Sequence, residues 1–331
     1  MSGLRNLVDK LKPTFSEGGK LSFLASTFDA FETFLFVPNT TTQKGAHIRD
    51  CNDMKRTMIV VSYVVGLGIE FAFAQARGHE VNEGFLVSGL LIPMVMPVGT
   101  PLWMIALGTA FAVVFGKEVF GGTGMNVFNP ALLARAFVFF AYTPQMSGEK
   151  VWFAVDSVSG ATALEQLSTT GAMSYSNLDA FLGFIPGCVG ETSTLAILIG
   201  AAILLFTGIA SWRTMLSVFA GGWLMGLLFN AVGANAYCEI PAWQHLIVGG
   251  FAFGAVFMAT DPVTSAQTNA GKYIVGLMTG ALAVMIRVVN PAYPEGMMLS
   301  ILFMNALAPL VDYFVVERNI ARRKNRVKLA K

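Results

Sequence analysis

"GGTGMNVFNPALLARAF", residues 121–137, decides how the rest of the chain is read. Gly121, Gly122 and Gly124 allow close backbone approach, while Asn126 and Asn129 each present an amide with donors and acceptors. Asn129-Pro130 has the form of a helix N-cap followed by a first turn. The apolar run that it opens, 130–143, has only 14 residues, fewer than the roughly 20 that a full membrane crossing needs. A second interruption, "FMATDPVTSAQTNAGKY" (257–273), again sets small polar residues and an Xaa-Pro pair, Asp261-Pro262, beside an apolar run. Broken segments of this kind expose helix ends at mid-membrane sites, because irregular backbone is tolerated there only where protein or a cavity satisfies it. The two breaks point to an internal duplication. From the residues alone, 121–129 reads either as helix punctuation or as a seat for a flat, hydrogen-bonding heterocycle. It lacks the G-K-[ST] ending of a nucleotide phosphate loop.

The surroundings are those of a polytopic membrane protein. Of 331 residues, 54% are hydrophobic and 13% charged, against about 25% charged in a soluble domain; the mean hydropathy is +0.61. Candidate membrane segments lie at 57–76, 84–99, 101–119, 130–143, 193–210, 213–231, 243–260, 273–289 and 297–316, giving about nine transmembrane or re-entrant helices. Residues 1–56 are polar and basic, without the apolar core of a cleavable signal peptide. The closing stretch "ERNIARRKNRVKLAK" is also rich in Lys and Arg. The positive-inside rule then places both termini in the cytoplasm. Three regions follow: a cytoplasmic amino-terminal region 1–56, a transmembrane domain 57–316 with an external loop 144–192, and a basic cytoplasmic tail 317–331. Counted forwards from Lys55 and Arg56, the early segments give the wrong parity unless one fails to cross, and 84–99 (broken by Pro93 and Pro97) or 130–143 is expected to be that one. The basic tail is explained by membrane orientation, so no nucleic-acid partner is expected.

Several chemistries are disfavoured. Cys51, Cys188 and Cys238 are scattered without C-x-x-C spacing, which argues against an iron–sulfur or zinc site in this chain. His47, His79 and His245 show no spacing for paired haem ligation. The abundant Met and Phe read as packing and lipid contact. Carboxylates inside spans are more informative, since burying them is costly. Glu70 lies in the first span and Asp312 in the last; each suits either an ion path or a helix end reaching the interface. Arg287 reads as a partner for an acid or as an interfacial residue. The polar stretch "DSVSGATAL" (156–164) has three readings: a plain turn, a weak ion site, or an exposed loop for covalent modification in which Asp156 and Ser159 orient a donor toward the Thr162 hydroxyl.

"FSEGGK", "HIRD", "KRTMI", "HEVNEGF", "KEVFGGTGMNVFNPAL", "DSVSGATAL", "GIASWR", "GGFAFGAVFMATDPV" and "IRVVNPAYPEGMMLSILFMNALAPLVDYFVVERN" together resemble the B-subunit family of the sodium-translocating NADH:quinone oxidoreductases. The paralogous D subunit of the ferredoxin:NAD oxidoreductases shares the flavin motif, whereas the polar leader favours the quinone-reducing branch. The resemblance implies a urea-transporter-like fold of two inverted repeats. It also implies FMN bound through a phosphoester to Thr162 of the S-G-A-T motif, with Asp156, Ser159 and Gly160 around it, attached outside the cytoplasm by a flavin transferase. A non-covalent riboflavin is implied at Asn126 and Asn129, and ubiquinone as the electron acceptor. Glu70 and Asp312 match acids implicated in sodium uptake. The implied partners are five further subunits (A, C, D, E and F), membrane lipid and the sodium ion, in a bacterial inner membrane. Relatives carry a longer segment between "KRTMI" and "HEVNEG", where this chain has only residues 57–77. A flavin-free solute channel or transporter is the alternative from a different class.

Overall fold

A computed structural model describes residues 48–78, 83–146, 162–233, 237–290 and 295–329, and among them every regular element is helical. Helix α1 (Ile48–Arg77) is followed by α2 (Phe85–Met94), α3 (Leu102–Gly116), a 3-10 turn (Glu118–Phe120), α4 (Pro130–Ala141) and α5 (Thr143–Met146). Then come α6 (Ala163–Thr170), α7 (Asn177–Leu182), α8 (Thr194–Phe206) and α9 (Trp212–Val232). The last set is α10 (Gln244–Ile247), α11 (Phe251–Phe253), a π-helical turn (Gly254–Met258), α12 (Asn269–Val289) and α13 (Gly296–Leu329).

Five helical stretches are long and apolar enough to cross a membrane: Arg56–Arg77, Leu102–Phe120, Trp212–Val232, Asn269–Val289 and Gly296–Arg326. They coincide with five of the nine expected segments. Three others, at 84–99, 130–143 and 193–210, are the short helices α2, α4 and α8 of 10, 12 and 13 residues. The segment 243–260 forms no continuous helix, being divided into α10, α11 and the π-turn. Gly249, with φ +68°, lies at the first division, in a region of φ open mainly to glycine.

The helices form two groups. Helix α1 packs on α2 and α3, and α3 on α4; α9 packs on α12, and α12 on α13, which also touches α4. Glycine makes the second group tight. A Cβ on Gly280 or Gly221 would collide with the carbonyls of Val218 and Leu277 respectively, and one on Gly276 with the Ser217 hydroxyl. Between membrane helices, such small residues let the backbones approach and supply the packing that lipid does not drive.

Polarity is arranged inside out. Large apolar side chains face outward, Phe206 being 94% exposed and Ile209 70%. By contrast Glu70, Lys117, Glu118, Arg135, Glu191, His245 and Arg287 are buried. Water would favour neither half of this distribution, whereas a hydrocarbon solvent favours both.

Candidate functional site

The charged interior is built around α4. Asn129 caps that helix with its Oδ1, accepting the Ala131 and Leu132 N–H groups at 3.0 and 3.3 Å, and Pro130 occupies the first turn. Six residues past the cap, Arg135 donates to Glu191 Oε1 at 2.6 Å and to Glu295 and the Val95 carbonyl. These partners come from the ends of three other segments. Arg135 therefore ties α4 to the residues before α8, to the C-cap of α2 and to the residue preceding α13. Arg287, from the last turn of α12, donates to the His245 and Val248 carbonyls at 2.6 and 3.1 Å, with its guanidinium carbon 5.6 Å from the centre of the Phe251 ring.

Two adjoining cavities open at this centre. One is lined by Thr162, Leu164, Glu191, Gly249 and Glu295. The other is walled by Arg135, Arg287, Glu191, Glu295, Phe253 and Met297. Thr162 caps the N-terminus of α6, and its Oγ1 accepts the Glu165 N–H at 3.1 Å. The residues 144–192, expected as an external loop, thus return to the helical core at Thr162 and Glu191. Asp156, Ser159 and Gly160 lie outside the described residues.

The Gly121–Asn129 break forms a second centre. Gly121, Gly122 and Gly124 have φ of +127°, +94° and +91°, values rarely adopted by residues with a side chain. Asn126 is half-buried and Asn129 buried. The Asn129 amide oxygen is occupied by capping, so the NH2 group is the donating end of the side chain. At the entrance to this loop, Lys117 Nζ sits 2.5 Å from Glu70 Oε1 and 5.9 Å from the Phe85 ring centre. Glu118 faces Arg77 at 3.6 Å. Glu70 therefore points inward and is paired; it does not reach the interface.

The second break, 257–273, is organised by two aspartates. Asp261 accepts the Val263 N–H at 3.1 Å and the Thr264 hydroxyl at 3.0 Å. Asp312 of α13 accepts the Gln267 N–H at 2.6 Å, the Thr268 N–H at 3.1 Å and the Thr268 hydroxyl at 2.5 Å, so it fastens the N-terminus of α12 to α13. Glu70 and Asp312 occupy different centres. Helix α13 borders all three: Met297 and Ile301 line a cavity, Asn305 accepts the Asn129 N–H at 3.2 Å, and Asp312 holds the α12 terminus. Sequence reading missed Arg135, Glu191, Glu295 and Lys117. Arg135 had a visible signal, as a cation inside the apolar run 130–143.

Buried charge, broken helices and a lipid-like exterior define a membrane protein with polar centres inside the helical bundle. The sequence model of the NQR2, RnfD, RnfE family matches residues 37–321, and the chain belongs to that family. Among curated relatives, a protein of Chromohalobacter salexigens is 44% identical over 397 aligned positions, covering 98% of this chain and 97% of the relative. One from Pseudomonas aeruginosa PAO1 is 42% identical, covering 97% and 98%. Another from Azotobacter vinelandii is 41% identical, with the same coverage. All three are named as the B subunit of a Na(+)-translocating NADH-quinone reductase. The alignments are longer than this chain's 331 residues, so the relatives contain positions that it lacks.

Proposed function

We propose that this chain is the flavin-carrying membrane subunit of a sodium-translocating NADH:quinone reductase. FMN is joined to Thr162 by a phosphoester, riboflavin is held near Asn126 and Asn129, and ubiquinone accepts the electrons. The names of the relatives support the overall activity and favour it over that of the ferredoxin-linked branch. The observation that carries the cofactor reading is the position of Thr162: a hydroxyl at a helix N-terminus, on the wall of a cavity that adjoins a second one with a buried arginine. A phosphate linked there meets the partial positive charge of the α6 terminus. The neighbouring cavity is bounded by apolar side chains, two guanidinium groups and the carboxylates of Glu191 and Glu295, polar points on an apolar wall of the kind that orients a flat ring with polar edges.

For riboflavin, the glycine turn gives close backbone access and Asn129 contributes an amide donor. Asn129 begins α4 and Arg135 lies on its second turn, an axial separation of about 9 Å at 1.5 Å per residue. One short helix thus serves both flavin seats. Flavins supply the redox chemistry, whereas this chain's residues hold, orient and polarise them. Glu70 and Asp312 are proposed on the sodium route, each within a set of hydrogen-bonding or ion-pair partners that a cation must share or displace. The two broken segments fit an inverted-repeat architecture of the urea-transporter kind. The remaining subunits A, C, D, E and F, a flavin transferase and membrane lipid are the partners, in a bacterial inner membrane with both termini cytoplasmic.

The test is peptide mass spectrometry on protein made with its flavin transferase. An FMN-sized increment on the peptide containing Thr162, absent from Thr162→Ala, is the expected result. No increment, with the transferase active on a control substrate, would overturn the reading and favour a flavin-free transporter.

A further inference from the structure

The two arginines of the second cavity have different surroundings. Arg135 is opposed by the carboxylates of Glu191 and Glu295. Arg287 is 0% exposed, and among the described residues no carboxylate forms an ion pair with it. Its hydrogen-bond acceptors are two backbone carbonyls, and its Nε has no partner. The carboxylates of Glu191 and Glu295 line the same cavity and act on the guanidinium electrostatically, without a direct ion pair. Arg287 also lies against Gly249, whose absent Cβ would stand 3.3 Å from its Nη2. Since Gly249 lines the Thr162 cavity and Arg287 lines the next, the guanidinium stands where the two meet.

Resting on the covalent-flavin reading, we propose that Arg287 sets the reduction potential of the flavin carried by Thr162. Two electrons from the NADH side and one proton from water convert the neutral ring to an anion, and reoxidation returns both. A nearby buried cation stabilises the anionic ring more than the neutral one, because the interior weakens the interaction far less than water does. Without Arg287, the remaining wall of Arg135, Glu191 and Glu295 has a formal excess of one negative charge, which opposes reduction.

The experiment is a spectroelectrochemical titration of full-length protein purified with its flavin transferase, subtracting the titration of Thr162→Ala to isolate the covalent flavin. Mass spectrometry first establishes attachment in each variant. Arg287→Met is expected to lower the midpoint potential by at least a tenfold change in the reduction equilibrium, about 30 mV for a two-electron couple. Arg287→Lys should recover most of the shift. Glu295→Gln, which removes a negative charge from the same wall, should move the potential in the opposite direction; if Arg287→Met does not accumulate, Arg287→Gln in the same titration carries the test. Attached flavin with an unmoved potential in these variants overturns the assignment of Arg287 alone. A wild-type protein without the flavin increment overturns the covalent-flavin reading and this inference together.

Discussion

Lys117 Nζ lies 2.5 Å from Glu70 Oε1, and both side chains are buried. The lysine is a tethered cation in the seat that a sodium ion would need at this acid. Removing it strands a carboxylate in the interior, which costs about 3–5 kcal/mol. Lys117→Met should therefore destabilise the detergent-solubilised protein strongly. Lys117→Met combined with Glu70→Gln should be less damaging than the sum of the two single changes. A double-mutant cycle read from thermal midpoints checks this; simple additivity would show that the pair has no energetic coupling.

Thr162 combines a helix cap with the proposed attachment point, and substitutions separate the two roles. Thr162→Ala should lose both, with a capping cost of about 1 kcal/mol. Thr162→Asp should keep the cap and carry no flavin, whereas Thr162→Ser should retain both. Flavin mass and thermal midpoint, measured on the same samples, give the answer. If Thr162→Asp is as unstable as Thr162→Ala, the cap contributes nothing.

Gly280 is the tightest point of the α9–α12 seam. Alanine there meets the Val218 carbonyl and the Gly222 N–H, backbone groups that cannot swing aside. Overpacking of this kind costs about 1–3 kcal/mol or more. Gly68, in the middle of α1, has nothing within 4 Å of the point where a Cβ would stand, so Gly68→Ala should be neutral or slightly stabilising through helix propensity, by up to about 1 kcal/mol. Comparing thermal midpoints of the two variants tests the close-packed seam.

Asp312 is expected to act on structure as well as on ions. Asp312→Ala leaves the Gln267 and Thr268 N–H groups without their acceptor, at a cost of about 1–3 kcal/mol. Asp312→Asn keeps one oxygen and should lose less. Both losses should already appear without sodium in a thermal-shift measurement and grow when sodium is added. A loss seen only in the presence of sodium would instead assign Asp312 to cation binding alone.

Composition and hydropathy were sufficient to read a helical membrane protein, and the five long helices fall on five of the nine apolar runs. The Asn129-Pro130 pair was legible too, because a cap acts over three residues. Residues 243–260 misled, since hydropathy does not register how Gly249, at positive φ, lets an apolar run break. The charged centre was hidden for a different reason. Arg135 meets Glu295 across 160 residues of sequence and Glu191 across 56, and no local pattern encodes such pairings. Thr162-Ala163-Leu164-Glu165 does contain a local signal, the T-x-x-E spacing of a capping box, which would have placed a helix start at the threonine.

Pro309 lies inside α13, between Asn305 and Asp312, and the helix runs through it. Proline removes the hydrogen bond that would return to the Asn305 carbonyl, and it leaves a point of weakened bending resistance. The helix stays continuous but is least stiff at this point. On one side Met297 and Ile301 line the cavity, and on the other Asp312 holds the N-terminus of α12. A bend at the proline would therefore displace one of these contacts while leaving the other in register.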